Sequence, residues 1–217
     1  MKYDLIIFDM DGTVLDTIDD TYSTMGHVFS RNGHPVASMS DIRKYSGKGV
    51  MNLINSCASG VSSFDKQSMF NEYMEYYRKH CADKTSPFAG MKEVLQFLKK
   101  AGCKAAMVSD KEEYTTRSLC RRFLGGLIKY VASEQYDGEG NAENDVITQV
   151  ATGVAVSKDR ILFVGDTESD AEKAKKASVD YICVSWGMRT AEQLKENGVE
   201  NIANSPEELL EFIKSEL

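Results

Sequence analysis

From residue 86 onward the chain alternates short apolar runs with amphipathic ones, and no other feature constrains its fold as strongly. Residues 90–102, GMKEVLQFLKKAG, put Val94, Leu95 and Leu98 on one helical face and stop at Gly102. CKAAMVS (103–109) then reads as a buried strand and EEYTTRSLCRRFL (112–124) as a helix. KYVAS (129–133) is a short strand, ENDVITQVATGV (143–154) a helix, and RILFVGD (160–166) the strongest buried strand. Helical ESDAEKAKKAS (168–178), the strand DYICVS (180–185) and a final helix from 205 complete the series. That last helix opens with Ser205 as N-cap, Pro206 at the first helical position and Glu208 placed to close a capping box. Such alternation predicts an α/β fold, a doubly wound parallel sheet with helices on both faces. The apolar run Leu5–Phe8 is expected in the same sheet.

Residues 16–83 break the pattern. Ile18, Tyr22, Met25 and Phe29 recur at helical spacing, and VMNLINSCA and FDKQSMFNEYMEYYRKH follow. This block reads as an inserted helical cap domain (16–83) on a core made of 1–15 and 84–217. Its stripe of Met69, Tyr73, Tyr76 and Tyr77 is expected to serve helix packing.

A length of 217 residues suits one domain carrying an insertion. Hydrophobic residues at 42% and charged residues at 27% fit a folded globular protein rather than a disordered one. The formal net charge of -7 argues against nucleic-acid binding through phosphates. Five cysteines without paired spacing suggest reduced thiols in a cytoplasmic setting. The apolar run near the start is too short for a signal peptide, and no stretch suggests a membrane span.

In open α/β sheets, ligands sit outside the carboxyl ends of the strands. Asp9, Asp11, Gly12 and Thr13 follow the first strand, Ser109, Asp110 and Lys111 the second, and Asp166, Thr167, Glu168, Ser169 and Asp170 follow RILFVG. So many carboxylates at one edge demand a cation, and hard oxygen ligands without His or Cys favour Mg²⁺. A metal beside Ser109 and Lys111 suits phosphoryl oxygens. Asp9, fixed most firmly by the strand, can attack phosphorus. Asp11, two residues on, can protonate the leaving oxygen and then activate water. Gly12 allows the tight turn that brings backbone close to the phosphate.

DMDGTVLDT resembles the first motif of the haloacid dehalogenase (HAD) superfamily, VSD the second and GDTESD the fourth. The cap segment IRKYSGKGV and the late YICVSWGMRTAEQL resemble phosphoglycolate phosphatase-type members. The resemblance spans essentially the whole chain. It implies a Rossmann-like core with a helical cap and a Mg²⁺-dependent phosphatase acting on a small phosphorylated metabolite, phosphoglycolate first among the candidates. It also implies Asp9 as nucleophile, Asp11 as general acid/base and Ser109 on a phosphoryl oxygen. Mg²⁺ would be held by Asp9, the Asp11 carbonyl and Asp166, with Asp170 in support. The cap loop Ser46-Gly47-Lys48-Gly49 would face the site, Lys48 pairing with a substrate carboxylate.

One departure stands out. The family's phosphate-binding lysine, in a KPxP-like segment, is replaced here by Asn141-Ala142-Glu143-Asn144. Lys111 is the substitute the sequence suggests. His27, His34 and His80 lack ligand spacing and are read as structural or surface residues. Trp186 and Arg189 are placed at the border of the site by their position after DYICVS, with packing the expected role of Trp186. Two other functions remain open from the sequence: a β-phosphoglucomutase-like phosphomutase using the same residues, and a catalytically weak binding protein of the same fold.

Overall fold

The computed structural model describes residues 2–136 and 145–216. Six parallel strands form the main sheet: β1 (Leu5–Asp9), β4 (Lys104–Ser109), β5 (Tyr130–Ser133), β6 (Ile161–Gly165), β7 (Asp180–Val184) and β8 (Ile202–Ala203). Their spatial order is β5-β4-β1-β6-β7-β8. The chain therefore winds outward on one side of β1 and then returns to wind outward on the other. β1 pairs with β4 from Leu5–Lys104 to Asp9–Val108 and with β6 from Leu5–Ile161 to Phe8–Val164.

Two apolar cores follow from the two-residue period of the strands. Ile6 and Phe8 of β1, with Met107, Leu162 and Val164, face helices α5 (Met91–Ala101), α6 (Glu113–Leu124) and α10 (Pro206–Glu216). Leu5 and Ile7, with Ala106, Val108, Ile161 and Phe163, face α7 (Val146–Val154) and α8 (Glu168–Ala177). All five β1 residues are buried, which is why this strand reads as a continuous apolar run. Each large aliphatic side chain buried here contributes roughly 1.5–3 kcal/mol. The helix α9 (Ala191–Glu196) covers β7 through Leu194, beside Ala171 and Cys183.

Between the core segments lies a two-stranded antiparallel ribbon, β2 (Leu15–Asp16) against β3 (Ser86–Pro87). The chain enters a helical unit through one strand of the ribbon and leaves through the other. The unit comprises α1 (Ile18–Arg31), α2 (Met39–Tyr45), α3 (Val50–Cys57) and α4 (Ser63–His80). Ile18, Met25 and Phe29 are buried as their spacing predicts, and so are Met69, Tyr73 and Tyr77. Tyr76 instead stacks between His27 and His80 on the outer face. Buried Asp20 of α1 ties the exit strand down: its carboxylate accepts from the Lys84 and Thr85 backbone N–H groups and from the Thr85 hydroxyl.

The α10 cap departs in detail from the expected box. Ser205 Oγ accepts from Glu208 N at 3.2 Å, but the Glu208 carboxylate accepts from Asn204, one residue before the cap. All five cysteines are free thiols. Among the described residues, no helix is long and apolar enough to cross a membrane.

Candidate active site

The carboxyl ends of β1, β4, β5 and β6 open onto a cavity roofed by the loop between α2 and α3. Asp9, Asp11, Asp110, Lys111, Asp166, Asp170, Glu134 and Lys173 line it from the core, and Ser46, Gly47, Gly49 and Tyr73 from the cap. The cap loop is seated by a backbone bond, Gly49 N donating to Asp110 Oδ2 at 3.2 Å. Lys48 is not among the lining residues, so this arrangement does not place its ammonium in the cavity.

The two aspartates of the DxD motif serve separate clusters. Asp9, at the last position of β1, joins Asp166 and Asp170, with one oxygen from each carboxylate within 4.8 Å of the others. All three are buried. Burial, with the neighbouring carboxylates, pushes the Asp9 carboxyl well above its usual range, and the same causes raise Asp166 to about 8. Asp170 goes the other way: burial works to raise it, but Lys173 and the Thr167 hydrogen bonds hold it below. Thr13 Oγ1 spans the cluster, 3.3 Å from Asp9 Oδ2 and 3.4 Å from Asp166 Oδ1. Met188 N donates to Asp166 Oδ2 at 2.6 Å.

Two glycines make room for Asp166. A Cβ on Gly12 would fall 2.2 Å from Asp166 Oδ2, and one on Gly187 would fall 2.1 Å from it. Gly12 also has φ +84, where L side chains are strained. The turn after β1 is thus needed to admit the carboxylate of β6.

Asp170 is braced by the start of α8. Its Oδ2 accepts from Asp166 N, Thr167 N and Thr167 Oγ1, and Thr167 caps the helix in return. Its other oxygen pairs with Lys173 Nζ at 2.8 Å. Both Asp170 oxygens are thus engaged, as are those of Asp166, whereas Asp9 takes the Thr13 hydroxyl on one oxygen. Three buried carboxylates within reach of one another, with no His or Cys in the group, fit a hard divalent cation such as Mg²⁺.

Asp11 turns toward β4. Its carboxylate accepts from the Thr17 hydroxyl, from Ser109 Oγ at 3.1 Å, and pairs with Lys111 Nζ at 2.6 Å. Lys111 is held well above its ordinary range; burial is the largest single cause and works to lower it, but Asp11, Tyr77, Asp110 and Tyr73 together outweigh it. The side chains of Asp11 and Lys111 therefore sit outside the three-carboxylate group. Ser109 is fully buried beneath Asp11, its Oγ also accepting from Lys111 N. The segment around Asn141 lies outside the described residues.

Thr17, Tyr73, Met188, Glu134 and Lys173 are among the participants that escape the sequence reading. Glu134 directly follows β5, so gathering the polar residues behind that strand as well would have found it. Lys173 lies in a lysine-rich helix where nothing marks it as buried. Trp186 packs as expected, Nε1 donating to Thr13 O at 3.1 Å with its ring edge-on to Phe88.

The sequence pattern of haloacid dehalogenase-like hydrolases matches residues 6–184. The chain belongs to that family. Within it, this HAD protein is a phosphatase of the phosphoglycolate phosphatase-like kind. It is 26% identical over 200 residues to a phosphoglycolate phosphatase of Pseudomonas savastanoi pv. phaseolicola, covering 88% of this chain and 73% of that one. A phosphoglycolate phosphatase of Aquifex aeolicus is 27% identical over 188 residues, covering 84% and 85%. Among solved structures, a candidate phosphoglycolate phosphatase of Lactobacillus delbrueckii subsp. bulgaricus superposes with a TM-score of 0.88 at 28% identity, covering 98% of this HAD chain and 99% of that one. A haloacid dehalogenase-like hydrolase of Streptococcus pneumoniae shares the fold, with a TM-score of 0.85 at 19% identity and coverage of 98% and 99%.

Proposed function

We propose that this HAD phosphatase hydrolyses a small phosphomonoester with Mg²⁺ through an aspartyl-phosphate on Asp9. The observation that carries the reading is the division of the DxD pair. Asp9 stands in the carboxylate cluster that would hold the cation, while Asp11 stands apart among hydroxyls and a lysine. Two like carboxylates in one environment would share one role; these two have separate surroundings and can do different work.

An Asp9 oxygen forms a bond to phosphorus as the ester P–O bond breaks, and Asp11, entering this step protonated rather than as the carboxylate paired with Lys111, gives its proton to the departing alkoxide. Asp11 then takes a proton from water, which attacks phosphorus and returns Asp9 with release of phosphate. Asp9, the Asp11 carbonyl and Asp166 would hold Mg²⁺, which supplies positive charge against the phosphoryl oxygens. Ser109 and Lys111 orient Asp11, and Thr13 orients Asp9. The seated cap loop limits the space and favours a small substrate, and its opening would admit substrate and water.

Phosphoglycolate is the first substrate to test, because the curated relatives carry that activity in their names. A phosphate-release screen over small phosphorylated metabolites with Mg²⁺ should find activity in the wild type and a loss of at least about a thousandfold in Asp9→Asn. Equal release by both would remove Asp9 as nucleophile. Isomerisation of a sugar phosphate without phosphate release would favour the phosphomutase reading.

A further inference from the structure

The carboxylate cluster is short of positive charge even with a divalent cation bound. Asp9, Asp166 and Asp170 bring three formal charges, and an incoming phosphate ester adds up to two more. Lys111 is committed to Asp11. Lys173 of α8 sits on the other side of the cluster, at the cavity wall. Its Nζ lies 2.8 Å from Asp170 Oδ1 and 2.7 and 2.9 Å from the two oxygens of Glu134. The side chains of Lys173, Asp170 and Glu134 are 15%, 4% and 4% exposed, so the pairing is shielded from water.

We propose that Lys173 is the cation that receives the phosphoryl group beside Asp9, and that Glu134 is its positioning residue. The inference rests on the phosphatase reading of the site. Glu134 is anchored by its backbone, N donating to Ser109 O at 2.7 Å, so β4 and β5 fix it against the site. Tyr136 hydroxyl donates to Glu134 Oε2 at 2.8 Å, and its side chain lies against Gly49, where an added Cβ would fall 3.0 Å from the Tyr136 Cβ and 3.4 Å from the ring. The cap loop, Tyr136, Glu134 and Lys173 thus form one connected set of contacts. A seated cap holds Tyr136, Tyr136 holds Glu134, and Glu134 keeps the ammonium aimed beside the nucleophile. Lys173 keeps all three of its protons through the reaction; only its hydrogen bonds redistribute, from carboxylates to phosphoryl oxygens.

A purely structural salt bridge makes a different prediction. Removing Lys173 alone strands two buried carboxylates and destabilises the fold. Lys173→Ala/Glu134→Gln removes one of these two charges and leaves Asp170 its hydrogen bonds from Asp166 N and Thr167, so stability should recover while the phosphoryl cation stays absent. Beryllofluoride, which adds to an aspartate as a phosphoryl mimic, and Mg²⁺ alone are the probes, read by calorimetric titration alongside phosphate release. Expected are a double variant with wild-type-like melting, Mg²⁺ affinity within a few-fold of wild type, beryllofluoride affinity down at least tenfold, and kcat down about a hundredfold or more. Tyr136→Phe should raise KM more than it lowers kcat. A double variant that binds beryllofluoride and turns over as well as the wild type would overturn the role of Lys173. A wild type that releases phosphate from no phosphomonoester and binds no beryllofluoride would instead overturn the phosphatase reading itself. A well-folded double variant that loses Mg²⁺ affinity in proportion to beryllofluoride affinity would make Lys173 a support of the metal site, and also overturns the proposal.

Discussion

Asp9 and Asp11 are two residues apart, yet their surroundings differ as much as any two places in the molecule. Around Asp11 one carboxylate meets two hydroxyls and one ammonium, so its charge is balanced by the protein alone. Around Asp9 three carboxylates converge, and the ammonium nearest them is shared with Glu134. The first cluster is complete as it stands; the second is complete only with a cation. β1 ends at Asp9, and the turn through Gly12 carries Asp11 off the line of the strand, so two carboxylates that a continuing strand would set on one face reach different neighbours. Position 9 is directed to the β6 side of the sheet and position 11 to the β4 side.

The largest effect should come from abolishing the difference at Asp11. Asp11→Asn keeps the shape and the hydroxyl contacts but removes the proton shuttle, so kcat should fall by about 10² to 10⁴. Mg²⁺ affinity, measured by calorimetry, should stay within a few-fold, since the carbonyl rather than the side chain of Asp11 would face the cation. A large loss of Mg²⁺ affinity would mean the two clusters are not separate.

The contrast also predicts how pH and metal act on stability. In the metal-free protein Asp166 is raised from 3.8 to about 8, and Asp9 is raised as well. Between about pH 4 and 8 the folded protein therefore binds protons that the unfolded chain has released. Stability then falls as pH rises across that window. Mg²⁺ prefers the ionised carboxylates, and at a hundred times its Kd it should add about 2.7 kcal/mol. Melting in EDTA should be lower at pH 8 than at pH 6, and added Mg²⁺ should raise Tm more at pH 8. An equal gain at both pH values would separate the metal from this cluster.

How much of this was legible in the sequence also divides at the DxD pair. The alternation from residue 86 announced the parallel sheet because buried strands must be apolar and their covering helices amphipathic. Asp9, Asp11, Ser109, Lys111, Asp166 and Asp170 could be gathered from strand ends, since the topology carries strand ends to one edge. Lys173 could not. It shares ESDAEKAKKAS with Lys175 and Lys176, and only the packing of α8 against β6 and β7, which brings Lys173 to Glu134, decides which of the three is shielded. For Lys111 the sequence supplies the strand end, and the side-chain geometry adds the pairing with Asp11. Helical periodicity likewise found Tyr73 but not that it would line the cavity.

The smallest expected effect concerns how the cap is held over both clusters. Arg189 donates to both oxygens of Glu168, at 3.0 and 3.1 Å, and to the carbonyls of Arg43 and Lys44, at 2.8 and 3.1 Å. Those carbonyls lie at the end of α2, where a helix exposes unsatisfied acceptors and a cation is favoured. Arg43 answers by donating to Gly187 O at 3.2 Å, beside the glycine that admits Asp166. Arg189 thus fastens the cap to the segments around β6 and β7 without touching Asp9 or Asp11. Arg189→Ala should raise KM by about three- to tenfold, at a cost near 1 kcal/mol, with a smaller change in kcat. Hydrogen exchange in α2 should quicken while β1 stays protected. If kcat instead fell as far as it does in Asp11→Asn, Arg189 would belong to the chemistry, and the separation between fastening and catalysis would fail.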